Sequence, residues 1–372
     1  MANTREFTPE DAGYMARALR LAERGIGTTD PNPRVGCVIV REGRIVGEGW
    51  HRRAGGPHAE IEALEVAGAA ARGATAYVTL EPCCHFGKTP PCTEALMTAG
   101  VVRVIAAMPD PNPRVAGNGL RVLAEAGIKT GCGLMETEAE ALNPGFCKRM
   151  RGGRPYVVSK LAMSLDGRTA MASGESQWIT GAEARRDVHR LRARSSAILT
   201  GIGTVLADDP ALTARLDGAD SEARQPIRIV VDSGLRMPLS AKMATQPGRT
   251  IVVGVETAAA HALRAAGLEV HPLPAGRDGR VDLEALVDWL GELEFNEVMV
   301  EAGAFLNGAL LRAGLVDEWV VYLAPCILGD EGRGPFHLPG LVRMDDRFDL
   351  TLVDVRRVGR DLRLRFLKPA AM

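Results

Sequence analysis

LEPCCHFGKTPPC, residues 80–92, packs three cysteines and a histidine into thirteen positions, and PHAE at 57–60 adds a second histidine and a carboxylate upstream. The sequence on either side says what carries these groups. ATAYVTL (74–80) predicts a strand, and TPPCTEALMTAG (89–100) predicts a helix with prolines in its first turn. HAEIEALEVAGAAARG (58–73) is helical by propensity and ends at Gly73. Further out, VGCVIVREGRIVGEGWH (35–51) alternates β-branched residues around a Glu-Gly turn, the pattern of a hairpin. FTPEDAGYMARALRLAERG (7–25) predicts an amphipathic helix, with Thr8 as cap, Pro9 at its first position and Gly25 at its end. VRVIAAM (102–108), NGLRVLAEAG (118–127) and IKTGCGL (128–134) continue the strand–helix–strand rhythm. Strands alternating with helices specify an α/β layer fold.

The chain has 372 residues, too many for one ordinary core, so two domains are expected. NPGFCKRMRGGRP (143–155) is rich in proline, glycine and basic residues and reads as the linker, dividing the chain into 1–145 and 155–372. The second half alternates again. Strands are predicted at 156–162, 196–200, 227–232, 250–255, 268–273, 297–301, 316–324 and 361–367, and helices at 181–194, 257–267, 281–291 and 304–313. Net charge is −1 with both signs interspersed, which gives no basic stripe for nucleic acid. No apolar run has the length of a bilayer span. The N-terminus lacks the pattern of a signal peptide, so the seven cysteines are expected in a reducing cytoplasm, where such a cluster favours a metal over disulfides.

His58-x-Glu60, followed by Pro82-Cys83 and a later cysteine, is the pattern of zinc-dependent deaminases apart from one spacing. The usual P-C-x-x-C is replaced by eight residues between Cys83 and Cys92. A loop can still return Cys92 to the metal, and its place in the first turn of a helix favours the thiolate. His58, Cys83 and Cys92 are therefore the expected Zn²⁺ ligands. Three protein ligands leave a fourth tetrahedral position for water, which marks a catalytic site. Glu60 need not bind metal and is placed to move the water's proton to a departing amine. The alternative is a closed structural site recruiting Cys84 or His85, with Glu60 a solvated helix residue. DPNPRV occurs at 30–35 and again at 110–115. Either these are two rigid turns, or they present Asn32 and Asn112 to one pocket. His85 and Lys88 in the insert are either exposed loop residues or contacts for an anionic group.

The stretches PNPRVGCVIV, GGPHAEIEAL, LEPCCHFGKTPPC and MPDPNPRVAGNG in the first half, and KLAMSLDGRTA, SGESQWITG, ILTGIGTVLADDPALTAR, RQPIRIVVDS and VEAGAFLNGALL in the second, closely resemble the bifunctional deaminase/reductase family of riboflavin biosynthesis. Cys84 departs from the family, which commonly has a small hydroxyl residue there. The resemblance implies an N-terminal cytidine-deaminase-like α/β/α domain and a C-terminal dihydrofolate-reductase-like α/β domain. It implies a phosphorylated pyrimidine as the small-molecule substrate, with Asn32, His51, His85, Lys88 and Asn112 lining its site. It also implies a homo-oligomer, dimer or tetramer.

Residues alone say less about the second half. TGIGTVL (200–206) lacks the third glycine and the distant acid of a dinucleotide fingerprint. VEAGAFLNGALL (300–311) is a strand–helix turn whose backbone N–H groups suit a pyrophosphate, or simply a turn. ARRDVHRLRARS (184–195) is a basic helix, either solvated or with Arg192 binding phosphate. The resemblance implies NADPH as cofactor. Ala162, Trp178, Thr204, Asp208 and Ser233, together with Gly303, Ala304, Phe305, Leu306, Asn307, Gly308 and Ala309, match its cofactor positions. Lys160, Ser176, Arg192, Leu212, Arg215 and Glu301 match substrate positions or their neighbours. The implied reaction reduces the ribosyl arm of the deaminated pyrimidine to a ribityl arm, with Lys160, Asp208 and Glu301 as candidates for the accompanying electrostatics.

Overall fold

The computed structural model describes residues 7–85, 90–113, 115–216 and 224–369. The chain divides into two compact units, Met1–Gly153 and Arg154–Met372. In the first, α1 (Pro9–Ala22) is followed by β1 (Gly36–Arg41), β2 (Arg44–Trp50), α2 (Ala59–Ala67), β3 (Thr75–Val78), α3 (Cys92–Thr98), β4 (Arg103–Ala106), α4 (Asn118–Glu125), β5 (Lys129–Cys132), α5 (Glu136–Leu142) and α6 (Pro144–Gly152). The sheet runs β2-β1-β3-β4-β5. β1 is antiparallel to both neighbours, and β3, β4 and β5 are parallel.

Local chemistry explains these elements. Thr8 caps α1 in a reciprocal box: Asp11 N–H donates to Thr8 Oγ1 at 3.1 Å, and Thr8 N–H donates to Asp11 Oδ2 at 3.0 Å. Glu42 and Gly43 both have positive φ, at 50° and 74°, which is what a two-residue hairpin turn requires. Period-two alternation then divides the sheet between two cores. Val38, Val40, Tyr77 and Ile105 face one side with Met15 and Leu19 of α1; Cys37, Ile39, Ala76 and Val78 face the other with Ala59, Ala63 and Ala67 of α2. A Cβ on Gly47 would lie 2.2 Å from Ala63 O, and one on Gly49 2.5 Å from Ala59 O. Helix α2 therefore lies directly on the backbone of β2, and that contact fixes where its first turn points.

The stretch expected to be a linker from residue 143 is instead α6, with Phe146 and Cys147 buried in the first core. Its prolines and glycines punctuate a helix: Pro144 occupies the first turn, where a missing N–H is harmless, and Gly153, at φ 74°, ends it. Asn143, just before the helix, exchanges hydrogen bonds with the backbone of Arg34 at 2.8 and 2.9 Å, pinning the end of the first DPNPRV loop.

The second unit contains β6 (Tyr156–Ser164), α7 (Ala182–Arg194), β7 (Ala197–Gly201), α8 (Ile202–Asp208), β8 (Ile227–Val231), α9 (Lys242–Thr245), β9 (Thr250–Gly254), α10 (Ala258–Ala265), β10 (Glu269–Pro272), α11 (Leu283–Glu292), β11 (Glu297–Val300), α12 (Ala304–Arg312), β12 (Glu318–Ala324), β13 (Thr351–Val358) and β14 (Asp361–Leu367). They build a nine-stranded sheet, β10-β9-β8-β7-β11-β6-β12-β14-β13. The strands from β10 to β12 are parallel, and the β13–β14 hairpin adds an antiparallel edge. Sequence patterning did not anticipate α8, α9 or β13. The two helices are short, and Leu352, Val353 and Val355 of β13 are exposed, with only Val358 packed against a core. Among the described residues, no helix is long and apolar enough to cross a membrane.

Candidate active sites

In the first unit a pocket of about 70 Å³ is lined by Asn32, His51, His58, Glu60, Cys83 and Asp110, among others. His58 is the N-cap of α2, Glu60 lies in that helix's first turn, and Cys92 is the first residue of α3. The donor atoms of His58, Cys83 and Cys92 all fall within 4.8 Å of one another. His58 Nδ1 is 3.2 Å from Cys92 Sγ and 3.5 Å from Cys83 Sγ. Bond lengths of about 2.3 Å to sulfur and 2.0 Å to nitrogen give a tetrahedral zinc an N···S edge of roughly 3.5 Å. The donor set and its spacing therefore fit zinc. The eight residues between the two cysteines do not prevent convergence: Cys92 N–H donates to Cys83 Sγ at 3.3 Å. Cys84, the next residue along, stands outside this cluster.

The electrostatics suit a metal-assisted proton transfer. Hydrogen bonding from the Cys92 thiol, aided by His58, holds Cys83 down to about 4. The same contact and burial push Cys92 up. Glu60 is 4% exposed, and burial pushes its carboxyl up to about 7. His51 Nδ1 lies 2.8 Å from Pro57 O, which makes Nδ1 the donor and leaves Nε2 to accept from Asn32 Nδ2 at 3.0 Å. Burial also lowers its pKa, consistent with a neutral ring.

Asn32 and His51 thus meet in the pocket. Asn112 is half-buried on the loop after Asp110, its N–H donating to Asp110 Oδ1 at 2.8 Å. His85 is exposed, and Lys88 lies outside the described residues. Sequence reasoning passed over Asp110 and Glu81. Asp110 lines the pocket, and its carboxyl is pushed by burial up to about 6. Glu81 is buried beside it. The signals were present, as the first residue of the repeated DPNPRV and as the acid before Pro82-Cys83.

The second unit holds a cavity of about 1580 Å³. Lys160 and Ala162 reach it from β6, Thr204 and Asp208 from α8, and Ser176 and Trp178 from the segment after β6. Leu212, Arg215 and Ser233 line another wall, and Glu301, Gly303, Ala304, Phe305, Leu306 and Ala309 line the wall at β11 and α12. Two expected residues do not line the cavity. Asn307 is fully buried, accepting from Ser159 Oγ at 2.9 Å and donating to Ala302 O at 2.7 Å. Gly308 packs against the backbone of His337, where a Cβ would come within 2.3 Å of the carbonyl oxygen. A helix shows only one face to a cavity, so a continuous run from 303 to 309 cannot all line it.

Arg192 lines the same cavity, and its guanidinium is paired within the protein. Its Nε and Nη2 donate to the Glu301 carboxylate at 2.6 and 2.9 Å, and its Nη1 donates to Thr213 O at 3.0 Å. Lys160 Nζ lies 3.8 Å from Glu301 Oε2. Burial alone would raise the Glu301 carboxyl, but Arg192 and Lys160 outweigh it and hold it below its ordinary value. Burial lowers Lys160 in turn. Arg215 Nη2 is 3.1 Å from His189 Nε2, and the Arg185 guanidinium lies 4.6 Å over the Trp178 ring at the cavity wall.

Comparison with known proteins accounts for both units. The cytidine and deoxycytidylate deaminase zinc-binding region matches residues 8–108, and the RibD C-terminal domain matches residues 155–364. The riboflavin biosynthesis protein RibD of Escherichia coli is 53% identical over 370 residues, covering 96% of this chain and 99% of that protein. That of Haemophilus influenzae is 47% identical over 382 residues, covering 97% of this chain and 98% of its own. The structure of Acinetobacter baumannii RibD superposes with a TM-score of 0.90 at 45% identity, covering 97% of this chain and 99% of that one. A diaminohydroxyphosphoribosylaminopyrimidine deaminase/5-amino-6-(5-phosphoribosylamino)uracil reductase from Thermotoga maritima superposes with a TM-score of 0.87 at 33% identity over the same shares. The fold, the zinc-binding region and near full-length identity agree: this chain belongs to the RibD family of riboflavin-biosynthesis deaminase/reductases.

Proposed function

We propose that the first unit hydrolyses the exocyclic amine of 2,5-diamino-6-(5-phosphoribosylamino)pyrimidin-4(3H)-one, and that the second reduces the ribosyl arm of the product to ribityl with NADPH. The observation that carries the first half is the convergence of His58, Cys83 and Cys92 beside the buried Glu60. Zinc held by those three residues supplies a water whose pKa falls to about 7. Glu60 takes the water's proton and passes it to the departing amine. A carboxyl poised by burial near neutrality is matched to both steps. Asn32 and His51 orient the pyrimidine through the fixed tautomer of His51. The same pocket has room for Asp110 to meet a ring substituent.

In the second unit the nicotinamide supplies the hydride. Lys160 is the group best placed to deliver the accompanying proton, since burial makes its ammonium a stronger acid and Glu301 holds it at the cavity wall. Arg192 acts by fixing Glu301, and the phosphate falls to cations such as Arg215. Asp208, raised by burial, and Ser233 belong with the cofactor wall. A second copy of the chain is the proposed partner. The edge strand β13 exposes Leu352, Val353 and Val355, and Val342 ahead of it is 85% exposed. Val355→Asp should lower the sedimenting mass.

The decisive experiment is Glu60→Gln. Zinc content and NADPH oxidation with the deaminated pyrimidine should persist, while ammonia release falls by about 10²–10⁴-fold. Ammonia release at the normal rate would sink the assignment of Glu60.

A further inference from the structure

Glu81 is 3% exposed and stands two residues before Cys83. Its Oε2 accepts the backbone N–H groups of Asp110 at 3.1 Å and Gly117 at 2.8 Å, and its Oε1 accepts that of Leu120 at 3.1 Å. Those donors bracket one segment. Asp110 opens it inside the pocket, Gly117 is the N-cap of α4, and Leu120 lies in the first turn of that helix. Asp110 in turn holds the N–H of Asn112 at 2.8 Å. Contact with the metal-bearing segment is close on the other side as well. A Cβ on Gly119 would fall 2.0 Å from Pro82 O and 3.2 Å from Glu81 Oε1, so the start of α4 rides directly on the backbone that leads into Cys83. A mere helix cap would need only the bonds to Gly117 and Leu120. The bond to Asp110 leads back into the pocket.

We propose that Glu81 is a positioning residue of the deamination site: its three N–H contacts hold the loop bearing Asp110 and Asn112 in register with the Cys83 segment, and so set how tightly the aminopyrimidine binds. This rests on the reading of the pocket as the deaminase centre. Three donors on two oxygens require a carboxylate, because a glutamine offers one acceptor oxygen and turns an NH₂ toward an N–H donor.

The test is a double-mutant cycle on the full chain with Glu81→Gln and Asn112→Ala. Zinc content, the KM and kcat of ammonia release, and reductase turnover as the folding control are measured for each. Glu81→Gln should keep its zinc and its reductase turnover, while the deaminase KM rises on the order of tenfold and kcat changes less. The double variant should match the weaker single variant within about twofold, because both act on one loop. Independent, multiplying effects on KM overturn the proposal. So does an unchanged KM with faster hydrogen exchange at Gly117 and Leu120, which would make Glu81 a helix cap only. Loss of zinc in Glu81→Gln overturns it too, by placing the effect on the metal loop. Should Glu81→Gln fail to fold, Glu81→Asp, which keeps two acceptor oxygens at shorter reach, carries the same cycle. Wild-type protein that holds zinc yet releases no ammonia would instead refute the reading of the pocket, whatever Glu81 does.

Discussion

The two cavities of this chain do different work at very different sizes, about 70 Å³ around the thiolates and about 1580 Å³ in the second unit. The small one relies on a few atoms held to within fractions of an ångström. A metal takes its geometry from its ligands, and those ligands come from two short stretches of chain, 57–60 and 80–92. On the function proposed above, the large one would accommodate a dinucleotide and a phosphorylated sugar. Its walls come from residues between 160 and 335, and most offer surface rather than chemistry. One charged cluster in its wall is the largely buried trio of Arg192, Glu301 and Lys160, two of whose members lie 109 positions apart in sequence. Metal chemistry is thus concentrated and legible, whereas cofactor chemistry is dispersed and waits for the fold.

The sharpest way to break this contrast is to remove one metal ligand. Cys83→Ser should abolish measurable ammonia release, by at least about 10³-fold, and lower zinc content, while NADPH oxidation with the deaminated pyrimidine continues unchanged. Equal loss of both activities would mean that the two sites are not separable in this way. The converse variant, Glu301→Gln, removes the charge that Arg192 and Lys160 share. Breaking such a buried group costs about 3–5 kcal/mol of stability, and reductase turnover should fall on the order of 10²-fold with ammonia release intact. Calorimetry and the two assays on one preparation check both parts.

A smaller effect sharpens the comparison within the first unit. Asp11 accepts from Tyr77 OH at 2.6 Å and from both Arg103 Nη atoms at 2.9 and 3.1 Å. Burial opposes its charge, but Arg103, Tyr77 and the Thr8 N–H outweigh it and hold the carboxyl below its ordinary value of 3.8. Because the folded value is the lower one, its stabilising contribution is complete above 3.8 and is lost as pH falls through the folded value. Asp11→Asn should cost about 2 kcal/mol at neutral pH and flatten the acid limb of a urea-midpoint profile. An unchanged profile would show that Arg103 and Tyr77 find other partners.

Much of the metal pocket was legible in the sequence because its chemistry dictates residue types at fixed neighbours. His58, Glu60, Cys83 and Cys92 follow from what a water-activating zinc requires, and Asn32 and His51 came from family resemblance before the structure joined them. Glu81 escaped notice because its role is set by backbone N–H groups 29 to 39 residues away, which leave no side-chain pattern. The helix of residues 144–152 escaped because proline and glycine mark helix ends as well as loops. In the second half, the strand–helix rhythm was readable, but the edge strand β13 was not, since Leu352, Val353 and Val355 are exposed and only Val358 packs on a core.

Sequence by itself determined the α/β alternation, the metal donors and the carboxylate beside them, since local propensity and coordination chemistry act over a few residues. Tertiary structure alone decided that Arg192 belongs to Glu301, that Asn307 and Gly308 turn away from the cavity, and that Glu81 grips the loop beyond Asp110. Those outcomes depend on which side chains share a low-dielectric interior once distant segments pack, and burial makes each unpaired charge or N–H costly enough to choose its partner.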